Sequence, residues 1–547
     1  MPEHSTQAVS FEAVNFTTTN STAKPMVTAA LDTDLETVHR RLKNSLFTPS
    51  YSSSRQPRPR SLLKNATSAI LSVVEPSIVK IMMRGVVYNP MQAWQAPHMI
   101  SAIGSGFVVN TAKGLRIITN AHVVYGHVKV QVRLSLDEKW YDAVVELEGH
   151  ECDLAMLTVQ DNTFWQQAKP IEMGEMPAIN QKLNILGFPM GGSEISVTEG
   201  VVSRYGFQSY AYGGAELLTI QIDAPMNHGN SGGAAIVNNK LVGVPHQKSL
   251  FGEALGYMIP VTVLKHFLKD AETDNYRGIP QSPFLLSDFQ QLPTAVRSYH
   301  GMRADQTGIL LNCIKPGTKA ALVLEKNDIL LSIDGYPVRN DGTVLWNDRP
   351  VKCIQVIQLH YVGDKIPLKI LRNHQEKDVE LELEEGLHQK VKKRMKEDGG
   401  APSYYICSGL VFQELTWNYW SSLSMHVGQF QLPLLWSLAI SSLDINKTPI
   451  ILGRALPTAI TEGYEGLFGS VIQKINGQDI NSLKDVIKAC EKNAEDFHTI
   501  LLESQKEIWI PNIKDPAVHQ EILDKYKIPC DRSKDLSPLT RPLRARF

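Results

Sequence analysis

Three short segments carry residue types able to do chemistry together. "NHGNSGGAAI" sets Ser231 among glycines, "RIITNAHVV" places His122 after an apolar run, and "GHECDLAMLTV" places Asp153 before one. A serine hydroxyl is a weak nucleophile at neutral pH. It needs a base within hydrogen-bond reach and donors for the oxyanion that forms on attack. In such chemistry His122 is general base and then general acid, Asp153 holds its tautomer, and Ser231 forms an acyl intermediate. The flanking glycines permit a tight turn that exposes Oγ and aims the amides of Gly229, Asn230 and Ser231 toward one point, an oxyanion hole. Each segment alone has a plain reading. A lone histidine is usually a core or surface residue, an aspartate before a strand is usually a turn residue, and Asn/Gly turns are common. Their joint presence in one β-rich segment is what carries information.

The elements that must position these residues are short strands. Between residues 66 and 272, β-branched runs such as "GSGFVVN", "LRIITN", "VKVQVRL", "QKLNILGF" and "LLTIQID" alternate with Gly/Asn/Pro turns. That spacing predicts an antiparallel sandwich or barrel. The chain order His, Asp, Ser is that of the chymotrypsin-like barrels.

The motifs "GSGFVV", "ITNAHVV", "DLAML", "SVTEGVVS", "QIDAPMNHGNSGGAAI" and "GYMIPVTVLKHFL" resemble the Deg/HtrA family of serine proteases, in the family's order. "MRADQTGILLNCIKPGTKAAL", "PSYYICSGLVFQELT" and "KIPCDRSKDL" resemble its plant-type branch, which has one clear and one degenerate PDZ domain. The resemblance runs from about residue 70 to the C-terminus. It implies a mainly β protein: a chymotrypsin-like double β-barrel protease domain at 66–272, a PDZ domain at 280–386 and a degenerate PDZ-like domain at 400–547. It further implies a triad between two six-stranded barrels and a homotrimer or larger assembly. The activity would need no ATP, metal or other cofactor and would act on unfolded or damaged protein.

Two positions depart from the family's pattern. His228 and Ala234 stand where the family has prolines around the serine turn. Proline restricts its own backbone and that of the preceding residue, so the turn here has fewer constraints. Activity is therefore expected to depend more on activation. Pro225, six residues before Ser231, falls at the base of the S1 pocket in the chymotrypsin-like scheme, with Met226 beside it. Neither is a carboxylate, so small or aliphatic P1 side chains are expected. His150 and Cys152 sit beside Asp153 but are too few for a metal site.

The C-terminal half repeats a small module. "SIDGYPV" and "KINGQDI" place Asp334-Gly335 and Asn476-Gly477 turns at corresponding points. PDZ domains bind peptides by adding a strand to a sheet edge. In the first module Thr307, Gly308, Ile309 and Leu310 are the candidate receiving loop and strand. The second module is interrupted by insertions, including "TWNYWSSLSMHVGQFQLPLLW", and its groove is expected to be blocked.

Whole-chain features set outer bounds. The 547 residues exceed one core, and a net charge of −1 gives no general pull toward nucleic acid or anionic membrane. Six scattered cysteines form no CxxC pair and read as free thiols. No apolar run reaches the length of a membrane span; Leu432 to Ile440 is too short. Residues 1–65 are poor in core residues and expected to be disordered. They pass from acidic (Glu3, Glu12, Asp32, Asp34, Glu36) to basic (Arg40, Arg41, Lys43, Arg55, Arg58, Arg60, Lys64). The basic stretch fits a linker, a cryptic organelle-targeting segment or a nuclear signal, so compartment stays open among cytosol, organelle, nucleus and bacterial export. Besides a quality-control protease, a scaffold with a relic triad and a narrow regulatory protease fit the same residues.

Overall fold

The computed structural model describes residues 70–537 except 190–191, 193, 211–214, 225, 228, 249–254, 274–275, 281–288, 315–316, 386–400, 417, 420–421 and 423–448. The N-terminal segment, the charged linker, Leu432 to Ile440, Pro225 and His228 lie outside the described residues.

Two closed six-stranded barrels come first. The strands of the first are β1 (Ile78–Val87), β2 (His98–Thr111), β3 (Gly114–Thr119), β4 (His127–Leu134), β5 (Tyr141–Gly149) and β6 (Leu154–Val159), ordered β1-β2-β3-β6-β5-β4. Its four-residue helix α1 (Ala121–Val124) follows β3, and α2 (Asn162–Gln167) follows β6. The second barrel holds β7 (Lys182–Gly187), β8 (Ser196–Ser209), β9 (Glu216–Ile222), β10 (Ala234–Val237), β11 (Lys240–Lys248) and β12 (Gly256–Pro260), ordered β10-β11-β12-β9-β8-β7. Alternation fills each barrel. In β1, Val79, Ile81 and Met83 are buried, joining Val108, Ile117, Val130 and Val132 inside. Closing a sheet this way removes its edges.

A third cluster joins the barrels. Phe107, Ile118 and Leu154 of the first pack with Leu186, Ile236 and Leu241 of the second, and with Phe188. Helix α3 (Val261–Asp270) adds Leu264 and Phe267 to this cluster. The ends of β3 and β6, which bear the histidine and aspartate, therefore face the second barrel across an apolar seam.

The first C-terminal module is a sheet of β13 (Phe289–Gln291), β14 (Ile309–Leu311), β15 (Ile329–Ile333), β19 (Lys365–Arg372) and β20 (Gln375–Glu382), in that order, with β16 (Tyr336–Pro337) on β15. A separate ribbon pairs β17 (Thr343–Trp346) with β18 (Arg349–Lys352). The second module has β21 (Tyr404–Cys407), β22 (Leu410–Glu414) and β23 (Ile450–Ala455) in one sheet. The other holds β24 (Ile472–Ile475), β25 (Gln478–Asp479), β26 (Phe497–Leu502) and β27 (Glu507–Pro511). Helix α4 (Leu483–Glu491) buries Val486 and Ala489 between them, and α5 (Pro516–Lys525) follows. The two corresponding turns are alike in detail: Asp334 and Gly335 have φ of 51° and 78°, Asn476 and Gly477 of 50° and 76°. Positive φ at both central residues marks the hairpin turn that Asp-Gly and Asn-Gly favour.

The candidate receiving strand at Thr307–Leu310 is corrected here. Strand β14 is paired on both sides, with β13 through Gln290 and Leu310 and with β15 through Ile309 and Leu330. It offers no open edge for a peptide. Thr307 Oγ1 donates to Val338 O, and the Gly308 amide donates to Asn340 Oδ1 at 3.3 Å. Among the described residues the outer strands of this sheet are β13, which covers β14, and β20. A three-residue "FQQ" strand shows neither alternation nor β-branched residues, so sequence patterning passes over it.

Candidate active site

His122 sits in α1 immediately after β3, and Asp153 in the turn before β6; β3 and β6 are neighbours. Asp153 has φ of 53°, a left-handed conformation that aspartate tolerates better than most residues. This turn aims its carboxylate at α1. His122 Nδ1 lies 2.8 Å from Asp153 Oδ2 and 3.0 Å from Oδ1, and the His122 amide also donates to Oδ1 at 3.0 Å. Asn120 Nδ2 donates to the Asp153 carbonyl at 2.8 Å and pins the turn. With Nδ1 facing a carboxylate, the proton rests there and Nε2 keeps its lone pair.

The electrostatics agree with that assignment. Burial alone would raise Asp153, which is 1% exposed, but the charge and hydrogen bond of His122, with the nearby His246 ring, bring it to about 2. Burial disfavours the His122 imidazolium, yet the charge and hydrogen bond of Asp153 outweigh it, and His122 titrates above its ordinary value.

Ser231 lies on a turn clasped by the first barrel. Ser105, fully buried in β2, is the clasp: its amide donates to Ser231 O at 3.0 Å, and its Oγ donates to Gly229 O at 2.7 Å. The same Oγ accepts from the Phe188 amide, and Ser105 O accepts from Thr119 Oγ1, each at 2.7 Å. Removing the hydroxyl would leave a buried carbonyl and a buried amide without partners, at about 1–3 kcal/mol each. Gly232 has φ of +79°, and a Cβ there would sit 2.3 Å from Ser105 O and Thr119 Oγ1 and 2.9 Å from the Asn120 amide. The serine turn thus abuts the residue two before His122, at a distance only glycine allows. Ser231 Oγ has no hydrogen-bond partner among the described residues; in unliganded sites such bonds are often long and tighten with substrate.

The turn also sorts the three candidate amides. Asn230 N–H donates to Asn227 O at 3.1 Å, closing a turn with Gly229 at φ +100°. The Asn230 amide is therefore engaged within the turn, whereas those of Gly229 and Ser231 have no partner among the described residues. Met226, the described half of the candidate S1 pair, is buried with Ala224, Val242 and Met258, an apolar setting. Cys152 is fully buried, its thiol pushed well up by burial, and it donates to Gly149 O. His150 lies 3.7 Å from Glu148.

Sequence reasoning missed His246. A register shift between Pro245 and Gln247 in the β11–β12 pairing marks a bulge, and bulges re-aim side chains. His246 Nδ1 stands 3.7 Å from Asp153 Oδ2, both side chains 1% exposed. Its ring packs on Tyr210 with centroids 4.4 Å apart. Burial first, against the pull of Asp153, lowers its pKa, so it faces the carboxylate as a neutral ring. His246→Phe should keep the ring packing and remove the polar edge. We expect kcat to fall about tenfold, worth about 1.4 kcal/mol, with KM little changed. The acid limb of the pH profile should move upward, because Asp153 without the polar edge of the His246 ring beside it holds the His122 imidazolium more tightly. An unchanged profile would reduce His246 to packing. No local signal marks this residue in "LVGVPHQ"; only the bulge brings it in.

Similarity to known proteins agrees with this architecture. A trypsin-like peptidase domain model matches residues 104–244, and a PDZ domain model matches residues 392–535, the module whose groove was expected to be blocked. Putative protease Do-like 3, mitochondrial, of Arabidopsis thaliana is 34% identical over 86% of this chain and 82% of its own. Protease Do-like 4, mitochondrial, of the same plant is 32% identical over 86% of this chain and 88% of its own. Protease Do-like 2, chloroplastic, is 32% identical over 82% of this chain and 74% of its own. Two closed barrels, a trypsin-like match and relatives aligned over most of their length together make this chain a serine-type endopeptidase of the Deg/HtrA family, within its plant Do-like branch.

Proposed function

We propose that His122, Asp153 and Ser231 form the catalytic triad and hydrolyse peptide bonds through an acyl-enzyme. Ser231 Oγ attacks the scissile carbonyl while His122 Nε2 takes its proton. The amides of Gly229 and Ser231 donate to the oxyanion, and Asp153 stabilises the imidazolium. His122 then protonates the leaving amine, and water repeats the sequence on the ester. His246 acts through Asp153 as a positioning residue. The observation that carries this reading is the double contact of His122 Nδ1 with a buried carboxylate, which leaves Nε2 as proton acceptor. A fluorophosphonate probe should label the protein, with the adduct mapping to Ser231. An adduct at another serine, or none with or without activating peptide, would sink it.

The substrates proposed are unfolded or damaged proteins, handled by a homotrimer or larger assembly in an organelle, as the mitochondrial and chloroplastic relatives imply. Digestion of β-casein with sparing of folded proteins supports that role; the reverse pattern points to a narrow regulatory protease. Light scattering reads the assembly, and organelle fractionation reads the compartment. For P1, the apolar setting of Met226 favours small or aliphatic side chains. A peptide library should show cleavage after Val, Ile, Ala or Leu, and preference for Lys or Arg would refute the pocket assignment. Peptide capture in the first module is assigned to the outer edge of β13, the strand that covers β14.

A further inference from the structure

The second C-terminal module brings two thiols and an imidazole together. Cys407 ends β21, Cys490 lies in the last turn of α4, and His498 is in β26. The three are 9%, 6% and 1% exposed, and their nearest donor atoms lie within 4.8 Å of one another. His498 Nε2 stands 3.4 Å from Cys407 Sγ.

The tautomer of His498 can be read from its neighbours. Asn476 Nδ2 and Asn493 Nδ2 face its Nδ1 at 3.1 and 3.0 Å. Neither amide is free to turn over. Asn476 Oδ1 accepts from the Thr499 amide while its Nδ2 donates to Ala489 O. Asn493 Oδ1 accepts from the Glu495 amide while its Nδ2 donates to Phe497 O. Two donors fix Nδ1 as an acceptor, so Nε2 carries the proton and donates to Cys407 Sγ. That orientation suits a thiolate and opposes a metal, which would need the Nε2 lone pair and a carbonyl or carboxylate at Nδ1.

The two cysteines are correspondingly unequal. The Cys490 thiol, and then His498, hold Cys407 below the ordinary thiol range against the effect of burial. The hydrogen bond to Cys407, and then burial, push Cys490 well up. Tyr405 and Glu491 are the other titratable groups facing the pair.

We propose that Cys407, Cys490 and His498 form a peroxide-responsive thiol site in which Cys407 is the attacking thiolate and Cys490 the resolving thiol. The Cys407 sulfur attacks one peroxide oxygen, and the O–O bond breaks. Two electrons pass from sulfur to the peroxide, leaving Cys407 sulfenic acid and a hydroxide that is protonated to water. The Cys490 sulfur then attacks the sulfenic sulfur and releases the second water, which takes the Cys490 proton. Two thiols and one hydrogen peroxide thus give one disulfide and two waters. The bond requires side-chain rotation and a short approach, to about 2.05 Å. It would tie the first strand of the module to its helix.

The test uses the reduced full-length chain, one equivalent of hydrogen peroxide, alkylation and peptide mass mapping. The expected product is a Cys407–Cys490 peptide pair lighter by two hydrogens than its reduced components. The rate at which Cys407 loses its reactivity toward the alkylating agent at pH 6 should stay within about threefold of that at pH 8, where an ordinary thiol would slow about 75-fold. Cys490→Ala should replace the cross-link with a dimedone adduct at Cys407. Cys407 oxidation that slows like an ordinary thiol, or Cys407 left reduced while exposed Cys530 oxidises, would overturn the proposal. So would about one equivalent of co-purifying zinc that Cys490→Ala abolishes. The wild-type rates decide the matter even where the variant fails to fold.

Discussion

Ser231→Ala should abolish fluorophosphonate labelling and lower kcat by about 10⁶, the scale at which a serine protease loses its covalent route. The magnitude follows from the mechanism. Without Oγ, no acyl-enzyme forms, and water must attack the substrate directly, helped only by binding and the oxyanion donors. Nothing in the clasp around Ser231 uses its side chain. Ser105 holds Ser231 by its backbone carbonyl, and Gly232 donates its amide to Pro245 O at 3.0 Å. The variant should therefore fold as the wild type does, with an unchanged thermal midpoint. β-Casein digestion with purified protein reads the effect. Residual activity above about one part in a thousand would mean that another nucleophile operates.

Asp153→Asn should lower kcat by about 10⁴ with KM little changed, because it reverses the His122 tautomer. An amide that turns its NH₂ group toward His122 Nδ1 makes that nitrogen an acceptor. The proton then sits on Nε2, where the serine proton must go. The carbonyl oxygen of the substituted side chain can still accept from the His122 backbone amide, so α1 need not move. A loss smaller than about tenfold would remove Asp153 from its assigned role. Acid stability offers a second reading. Asp153 is depressed in the fold to about 2. Its contribution is therefore present above the unfolded value of about 3.9 and lost as pH falls from there through about 2. His122 is raised, so its contribution is complete below about 6.5 and lost as pH climbs through its folded value. Asp153→Asn should flatten both ends of the stability profile.

The legible part of this protein was local. Alternating side chains predict strands because the β side-chain period is two, and in "KIMM" Ile81 and Met83 are buried while Lys80 and Met82 are less so. The glycines at 229 and 232 signal a turn because only glycine takes their backbone angles without strain. Asp334-Gly335 and Asn476-Gly477 announce hairpins for the same reason. The order of His122, Asp153 and Ser231 was readable since each sits beside a strand end or in a glycine turn.

Other features were decided only when distant segments met. The Asn230 amide looked available until the turn closed on Asn227, since a hydrogen bond within a turn depends on angles that composition leaves free. The receiving edge at Ile309 vanished because β13, too short and polar to announce itself, pairs there. His246 reaches Asp153 through a bulge set by pairing of β11 with β12, and Cys407, Cys490 and His498 meet from two sheets and a helix. Residue types and their order along the chain thus set which groups could do chemistry and the local elements that hold them. Packing between those elements set which side chains share a charge, a proton or a sulfur contact, because such distances do not follow from spacing along the chain.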